Sequence, residues 1–587
     1  MVSNQTHRLE HIVNKTLLIP LMLLVLVSGV GIWFLFSGSG SSLKDFELDK
    51  DKQEFIWDAE HVTFEIENYF GKPLAAAIVT ADNEAIGALV HNDLIAEVPS
   101  STTGEQREIG EFTEQTWSGP NPIQTDVNGL LDFLNRHLEV FATITRAKTR
   151  VLHITAVDGQ PNTWDTELLL TVHGENEAKK SAKLTSHHQV RFQYEDDEQI
   201  HDGGAATAWK TTDLTMVQAK QSLMKEITTE SGLRKISLPD NWKLPLSETS
   251  QFHFQIAVED FDRDGDLDIA VASYNGVPFL LCAEKGGFVD RSREMGLQTW
   301  NPSGITKSAL AGWVDIDNDN FPDLVLGQQM YKNIGGLRFK DITRESGFSA
   351  GFDPHGMSVA DYNVDGLLDI YVARSHDFGQ IVDRAGWVGD EEGGAPNTLW
   401  KNLGNGKFAD VTMESNAGGG ARTSFTSSWL YFDDDHYPDL YVANDFAKNL
   451  VLRNQGDGTF EDISEVCGAA DFATSMGVAT GDLDNDGTTE IYVANMYSKM
   501  GRRIISHVGD EDYPKDIFPQ IQGSCAGNRL YRKTDGDNRY VDVTDQAGVN
   551  EVGWAFAPIM CDFNGDGLLD LYATTGFMSF DREKPDG

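Results

Sequence analysis

The chain has 587 residues, which at about 150 per domain leaves room for roughly four domains. Asp and Glu number 91 against 47 Lys and Arg, a formal charge of −44, which excludes a phosphate-tracking nucleic-acid binder and repels itself in a compact state unless cations neutralise it. A hydrophobic content of 40% excludes global disorder, and the four cysteines (Cys282, Cys467, Cys525 and Cys561) are too few and too scattered for a disulfide scaffold and lack CxxC spacing.

Residues Thr16 to Phe36 run for 21 positions without a charge. An α-helix needs about 20 to cross a bilayer, whereas a cleaved signal peptide has only about 7 to 15 apolar residues, so the run predicts a transmembrane helix over 16–36. Arg8 and Lys15 precede it, while Asp45, Glu47, Asp49 and Asp51 follow. The positive-inside rule then places 1–15 in the cytoplasm and the bulk of the chain in the periplasm or outside the cell. The stretch Ser37 to Ser42, SGSGSS, opens a flexible spacer over 37–50.

Helical patterning follows (FIWDAEHVTFEIENYF, then LLDFLNRHLEVFATI), and then strand-like runs RVLHITAV, TELLLTVHG, HQVRFQY and WKTTDLTMV. The order predicts an α+β domain over 51–222 and resembles the cone-shaped nuclear transport factor two-like fold, which holds a small ligand or serves for association. His187 and His188, adjacent in a polar stretch, read as a solvated surface pair.

From about 223 onward two signatures alternate. The first is an acidic nonapeptide: DFDRDGDLD from Asp260, DIDNDNFPD from Asp315, DYNVDGLLD from Asp361, YFDDDHYPD from Tyr431, DLDNDGTTE from Asp482 and DFNGDGLLD from Asp562. The second ends a hairpin: FKDITRESGF at Phe339, FEDISEVCG at Phe460 and YVDVTDQAG at Tyr540, with weaker copies at Phe288, Phe408 and Lys225 (KEITTESGL). Turns such as NLGNG from Asn402 and NQGDG from Asn454 lie between them, their Asn and Gly tolerating positive φ.

In the nonapeptide, oxygen-bearing side chains at positions 1, 3 and 5 face the concavity of a tight loop, position 6 lets the chain turn, and position 9 returns a carboxylate. This is a cage for a hard cation. Position 7, held by Asp266, Phe321, Leu367, Tyr437, Thr488 and Leu568, varies as a backbone-carbonyl ligand permits. An EF-hand needs Glu at position 12, where Val271, Leu326, Val372, Val442, Val493 and Ala573 instead continue a strand. A flexible cage of many carboxylates suits Ca²⁺ over Mg²⁺, which keeps its waters.

These motifs, over about 223–580, resemble the FG-GAP (VCBS-type) calcium-loop repeats of β-propellers such as the integrin α head. Within these the chain looks most like the bacterial relatives of cartilage acidic protein, which carry an ASPIC/UnbV segment. The resemblance implies a mainly β protein: a β-propeller of six to seven blades over 223–587, after the α+β domain and the membrane helix. It implies calcium ligands at Asp260, Asp262, Asp264 and Asp268; Asp315, Asp317, Asp319 and Asp323; Asp361, Asn363, Asp365 and Asp369; Asp482, Asp484, Asp486 and Glu490; and Asp562, Asn564, Asp566 and Asp570. The fourth loop departs from the pattern, with Tyr431 at position 1 and His436 at position 6, leaving Asp433, Asp435 and Asp439. Five strong calcium sites and a weaker sixth are therefore expected. Asn320 replaces Gly at position 6 of the second loop, a milder change because Asn also adopts the left-handed conformation.

Loop starts are 55, 46, 70, 51 and 80 residues apart, and spacings near 50 suit one four-stranded blade each. The longer intervals hold insertions around Arg374 to Pro396 and Met496 to Ser524. The second carries Lys499, Arg502 and Arg503 followed by Asp510, Glu511 and Asp512, which read as local salt pairing. GSCAG, from Gly523 to Gly527, has the frame of a nucleophile elbow around Cys525 but precedes a hairpin strand and reads as a turn. No catalytic motif is found. The reading is a membrane-tethered, calcium-stabilised scaffold for binding or adhesion to a protein or carbohydrate. A cell-envelope enzyme, with its site in the α+β domain or on the propeller face, is the alternative. After the last loop only LYATT and about a dozen residues follow, so ISLPDNWKLPL or QFHFQIAV is expected to close the ring, or else an open edge remains.

Overall fold

The Asp49 carboxylate accepts from the N–H groups of Asp51 and Lys52 at 3.1 and 3.2 Å and so starts helix α1 (Lys50–Glu65). The computed structural model describes residues 48–576 except 101–103, 119–120, 196, 223, 237–253, 274–277, 298–309, 376–393, 434, 514–516, 535, 537 and 551. The run at 16–36 and the segment ISLPDNWKLPL beyond its first residue lie outside the described residues. Among the described residues no helix is long and apolar enough to cross a membrane.

The chain divides into two compact units. One comprises Leu48–Glu226 together with Arg502–Asp512. Here α1 buries Ile56, Ala59 and Val62 at helical spacing, and a π-helical turn (Ile66–Gly71) leads into α2 (Lys72–Thr80) and α3 (Asn83–Leu89). After β1 (Val90–Val98), β2 (Glu105–Ile109), β3 (Phe112–Ser118) and β4 (Ile123–Thr125), Asp126 caps α4 (Val127–Leu138) through the Gly129 N–H at 3.0 Å. The long strands β5 (Thr143–Ala156), β6 (Thr163–Glu175), β7 (Ser181–Gln193) and, after α5 (Asp197–Asp202), β8 (Ala206–Ala219) complete an eight-stranded sheet. Its main order is β2-β3-β8-β7-β6-β5, with β1 pairing β8 and β4. The four expected strands fall on β5 to β8, with Val157 and Tyr194 one residue beyond β5 and β7, but the second helical run stops at Leu138, and Thr143 and Ile144 already belong to β5. The helices and one sheet face share a core of Phe70, Leu74, Leu130, Leu168, Phe192 and Trp209, whose interior cavity is about 10 Å³, room for about one water.

The surface reading of the histidine pair fails for His188. Strand neighbours point to opposite faces, so His187 faces out while His188 is fully buried. Trp209 Nε1–H donates to His188 Nδ1 at 3.1 Å, which puts the ring proton on Nε2, 2.8 Å from Ser186 Oγ. Burial, with His187 adding, lowers the His188 pKa to about 3. Only the unfolded chain gains a proton as pH falls below 6.5, so stability present above that value is lost on acidification, by about 2 kcal/mol at pH 5. Urea titrations at pH 7.5 and 5.0, read by tryptophan fluorescence, should show this loss in the native chain and a smaller one in His188→Gln; equal losses would contradict it.

The expected local pairing of the basic spot is also corrected. Arg503 forks onto Glu60 with both bonds at 2.6 Å and donates to the Val151 carbonyl at 3.0 Å, and Asp512 pairs with Lys52. Within this unit the Phe55 and His507 rings meet edge to face at 5.2 Å.

The other unit holds the repeats, described from Ile227 to Gly501 and from Tyr513 onward. Each four-stranded sheet is an antiparallel meander. The first is β9 (Phe254–Glu259), β10 (Asp268–Ser273), β11 (Phe279–Glu284) and β12 (Gly287–Asp290), and the second β13 (Ala311–Val314), β14 (Asp323–Leu326), β15 (Gln329–Asn333) and β16 (Phe339–Asp341). The third is β17 (Pro354–Ala360), β18 (Asp369–Arg374), β19 (Thr398–Asn402) and β20 (Phe408–Asp410). In the fourth, β21 (Thr423–Leu430), β22 (Asp439–Lys448), β23 (Leu450–Asn454) and β24 (Phe460–Asp462), the end of β22 runs on to pair with β25. That joins it to the fifth: β25 (Phe472–Gly481), β26 (Glu490–Asn495), β27 (Arg529–Lys533) and β28 (Tyr540–Asp542). The sixth has two strands, β29 (Ala555–Cys561) and β30 (Asp570–Thr575).

Cores form between consecutive sheets, as where Phe261 and Leu280 of the first pack with Leu324, Tyr331 and Phe339 of the second. The hairpin-ending signature locks these layers. Met295 O accepts from Phe339 N at 2.7 Å and Cys467 O from Tyr540 N at 2.8 Å, each carbonyl preceding a left-handed glycine. At Gly468 (φ 81°) a Cβ would meet Tyr540 O at 2.2 Å, so only glycine fits. Ser231 O accepts from Phe288 N at 2.7 Å in the same way, which makes KEITTESGL a repeat turn with no sheet of its own among the described residues.

Among the described residues no strand pairing joins the sixth sheet to the first. The described part of QFHFQIAV, from Phe254, supplies β9, the first strand of the first sheet, which among the described residues pairs with β10 alone. On the sixth sheet Tyr572 is 45% exposed, whereas its counterparts Tyr371, Tyr441 and Tyr492 are fully buried between sheets.

Candidate metal centres

Every acidic nonapeptide connects the first and second strands of its sheet, and position 12 continues the second strand in all six repeats. Position 1 shapes the loop. One oxygen of Asp260, Asp315, Asp361, Asp482 or Asp562 accepts from the N–H of position 5 at 2.9 to 3.1 Å and the other from position 6 at 2.7 to 3.1 Å. Position 5 accepts from the N–H of position 7 at 2.8 to 3.1 Å, through Asp264, Asp319, Asp365, Asp435, Asp486 and Asp566. Position 3 accepts from the N–H of position 5 in the loops of Asp262, Asn363, Asp433 and Asn564. The chain turns at position 6 with positive φ at Gly265, Gly366, Gly487 and Gly567, and Asn320 takes the same conformation at 68°. Position 4 is left-handed as well, at Arg263, Asn318, Val364, Asn485 and Gly565, which the sequence pattern did not reveal. Tyr431 offers no carboxylate to the fourth loop.

Position 9 faces inward. Asp268, Asp323, Asp369, Asp439 and Glu490 are all buried, and the four aspartates accept from a third-strand N–H (Ala283, Asn333, Asn402 or Asn454) at 2.6 to 2.8 Å. Burial, reinforced by loop carboxylates, raises Asp268 and Asp439 to about 6 and Asp323 and Asp369 to about 7. These carboxyls resist ionisation unless a cation faces them. In three loops, carboxylate oxygens of positions 1, 3 and 9 lie within 4.8 Å of one another: Asp260, Asp262 and Asp268; Asp315, Asp317 and Asp323; Asp482, Asp484 and Glu490. One oxygen each of Asp268 and Asp369 is buried without a hydrogen-bond partner. Orphaned buried carboxylate oxygens beside further hard oxygen donors fit a calcium ion. The carbonyls of Asp266, Phe321, Leu367, Thr488 and Leu568 sit on the same turns, and Asp570 closes the sixth loop by accepting from Phe563 N at 3.1 Å.

The asparagine of the NLGNG-type turn reads as turn chemistry in the sequence, yet it joins adjacent loops. Asn333 Nδ2 donates to Phe261 O of the first loop at 2.9 Å and to Pro322 O of the second at 3.0 Å. Asn402 likewise reaches Ile316 O and Leu368 O, and Asn454 reaches Tyr362 O and Pro438 O. Position 4 adds bridges, Asn318 to Gly366 O at 2.7 Å and Asn485 to Gly567 O at 2.8 Å. The signal was there: Asn333, Asn402 and Asn454 each stand six residues before the Phe that opens the hairpin-ending signature, Phe339, Phe408 and Phe460. Replacing Asn402, fully buried, by Ala strands two carbonyls and the Gly404 N–H and should cost about 3 kcal/mol, read as a lower denaturation midpoint. A change below about 0.5 kcal/mol would count against this bridging role.

The stretches that hold the first five of these loops match the FG-GAP-like repeat, at residues 260–326, 315–372 and 431–493. The chain is homologous, at low identity, to cartilage acidic protein 1. It is 24% identical over 388 residues to the Homo sapiens protein, covering 56% of this chain and 57% of that one. For the Mus musculus protein the identity is 23% over 391 residues, covering 56% and 58%. The chain thus spans less than two thirds of the length of these relatives.

Proposed function

We propose that the chain is a membrane-anchored, extracytoplasmic, calcium-binding β-propeller that serves as a scaffold for binding or adhesion to a protein or glycan. One observation carries the calcium reading: the same cage recurs along the chain with its position-9 carboxylate buried, and at Asp268 and Asp369 one oxygen is left without a partner. Asp260, Asp315, Asp361, Asp482 and Asp562 head the five strong sites, and the fourth loop binds weakest because Tyr431 supplies no carboxylate. The turn at Ser231 and Gly232 supports ring closure, since it sits against β12 as each repeat's turn sits against the next repeat's fourth strand and so supplies the outer turn of the sixth blade. The reading assigns the chain no catalytic step, in keeping with the burial of Cys525. The anchor is the apolar run at 16–36.

Isothermal titration of the metal-free protein with calcium tests the reading. About five bound ions are expected, reduced by one in Asp260→Ala, and an absence of binding heat would overturn it. Removing residues 1–36 should release the protein from membranes, and continued co-sedimentation after a salt wash would refute the anchor. A glycan array and a pull-down with the released protein identify the partner class.

A further inference from the structure

The acidic loops differ in something outside the nonapeptide. Position 10 pairs with a residue of the third strand, as Leu324 does with Tyr331, Ile370 with Trp400, Leu440 with Leu452, Ile491 with Tyr531 and Ile269 with Leu281. The next residue on that strand is Lys332, Lys401, Arg453 and Arg532 in repeats two to five, but Cys282 in the first. Lys332 pairs with Asp317 and lies 3.8 Å from Asp319. Lys401 lies 3.3 Å from Asp365, while Arg532 lies 3.0 Å from Asp484 and 3.3 Å from the buried Glu490. Arg453, beside the divergent fourth loop, pairs instead with Glu461. Among the described residues no lysine or arginine is ion-paired to the first loop, where Asp260, Asp262 and Asp268 converge and one buried oxygen of Asp268 has no partner.

Resting on the calcium reading above, we infer that the third-strand cation is an internal counter-ion that holds loops two, three and five in shape without metal and competes with calcium there, and that the first loop, with Cys282 in its place, is a stricter calcium sensor than these three. The physical reason is symmetric. An ammonium or guanidinium within 4 Å of cage carboxylates relieves their mutual repulsion, and the same positive charge opposes a divalent ion entering the cage. A thiol does neither.

Hydrogen exchange of the full chain, read by mass spectrometry across a calcium titration, resolves the loops separately. Residues 260–268 should lack protection in chelator and gain it at low calcium, whereas 315–323 and 482–490 start partly protected and complete their protection at about tenfold higher calcium. Lys332→Met should abolish the metal-free protection of 315–323 and lower its calcium midpoint about tenfold, with Arg532→Met doing the same at 482–490 should the first variant fold poorly. Cys282→Lys should confer metal-free protection on 260–268 and raise its midpoint. Calcium-dependent protection with midpoints that these substitutions leave in place would overturn the inference and spare the calcium reading. Protection indifferent to calcium in every loop would sink both.

Discussion

Exhaustive chelation is expected to lower the melting temperature of the repeat unit by roughly 10 to 20 °C. At a dissociation constant of about 10⁻⁴ M and about 1 mM calcium, each site stabilises the folded state by RT ln 11, about 1.4 kcal/mol, so five sites give about 7 kcal/mol. That is comparable to the whole stability of a domain, about 5 to 15 kcal/mol. The effect has a structural source: without a cation, Asp323 and Asp369 sit buried beside other carboxylates and are pushed to about 7. Differential scanning calorimetry in calcium and in EDTA checks it, and coincident transitions would refute calcium as a stabilising ligand.

Arg503→Met should destabilise the α+β unit by about 3 to 5 kcal/mol, because it removes one partner of a buried ion pair and leaves the Glu60 carboxylate without its counter-charge. The double variant Arg503→Met with Glu60→Leu should recover most of that loss, since a pair replaced by apolar groups leaves no charge stranded. Urea denaturation of the three proteins measures both steps. A single variant within about 0.5 kcal/mol of the parent would show that the pair is solvated in solution.

The nonapeptides were legible because their chemistry is local: positions 1, 5 and 6 make their hydrogen bonds within six residues, so spacing alone exposes them. The strands after them were legible for the same reason, as the apolar residue at position 12 contradicts an EF-hand and continues a strand. What escaped depends on distant partners. Glu60 and Arg503 lie 443 residues apart, and no local pattern pairs them. His188 looked like half of a surface pair because its strand phase, set by pairing with β6 and β8, outweighs the polarity of its neighbours. Asn333 and Lys332 sit on third strands, outside the motif that drew the eye, and only the register brings them back to it.

The asparagine bridges turn the row of loops into a nearest-neighbour system. Asn333, Asn402 and Asn454 each grip a carbonyl in their own loop and one in the loop before, so ordering at one loop fixes an anchor of the next. The fifth repeat carries Lys533 at that place, and the fourth and fifth sheets are joined through the pairing of β22 with β25. Loops one to four are therefore coupled by shared asparagine anchors and loops five and six by Asn485, with the β22–β25 pairing carrying the coupling from the fourth sheet to the fifth. On the calcium reading, occupancy of one loop favours occupancy of the next instead of rising at six independent sites, and damage to a single loop spreads to its neighbours.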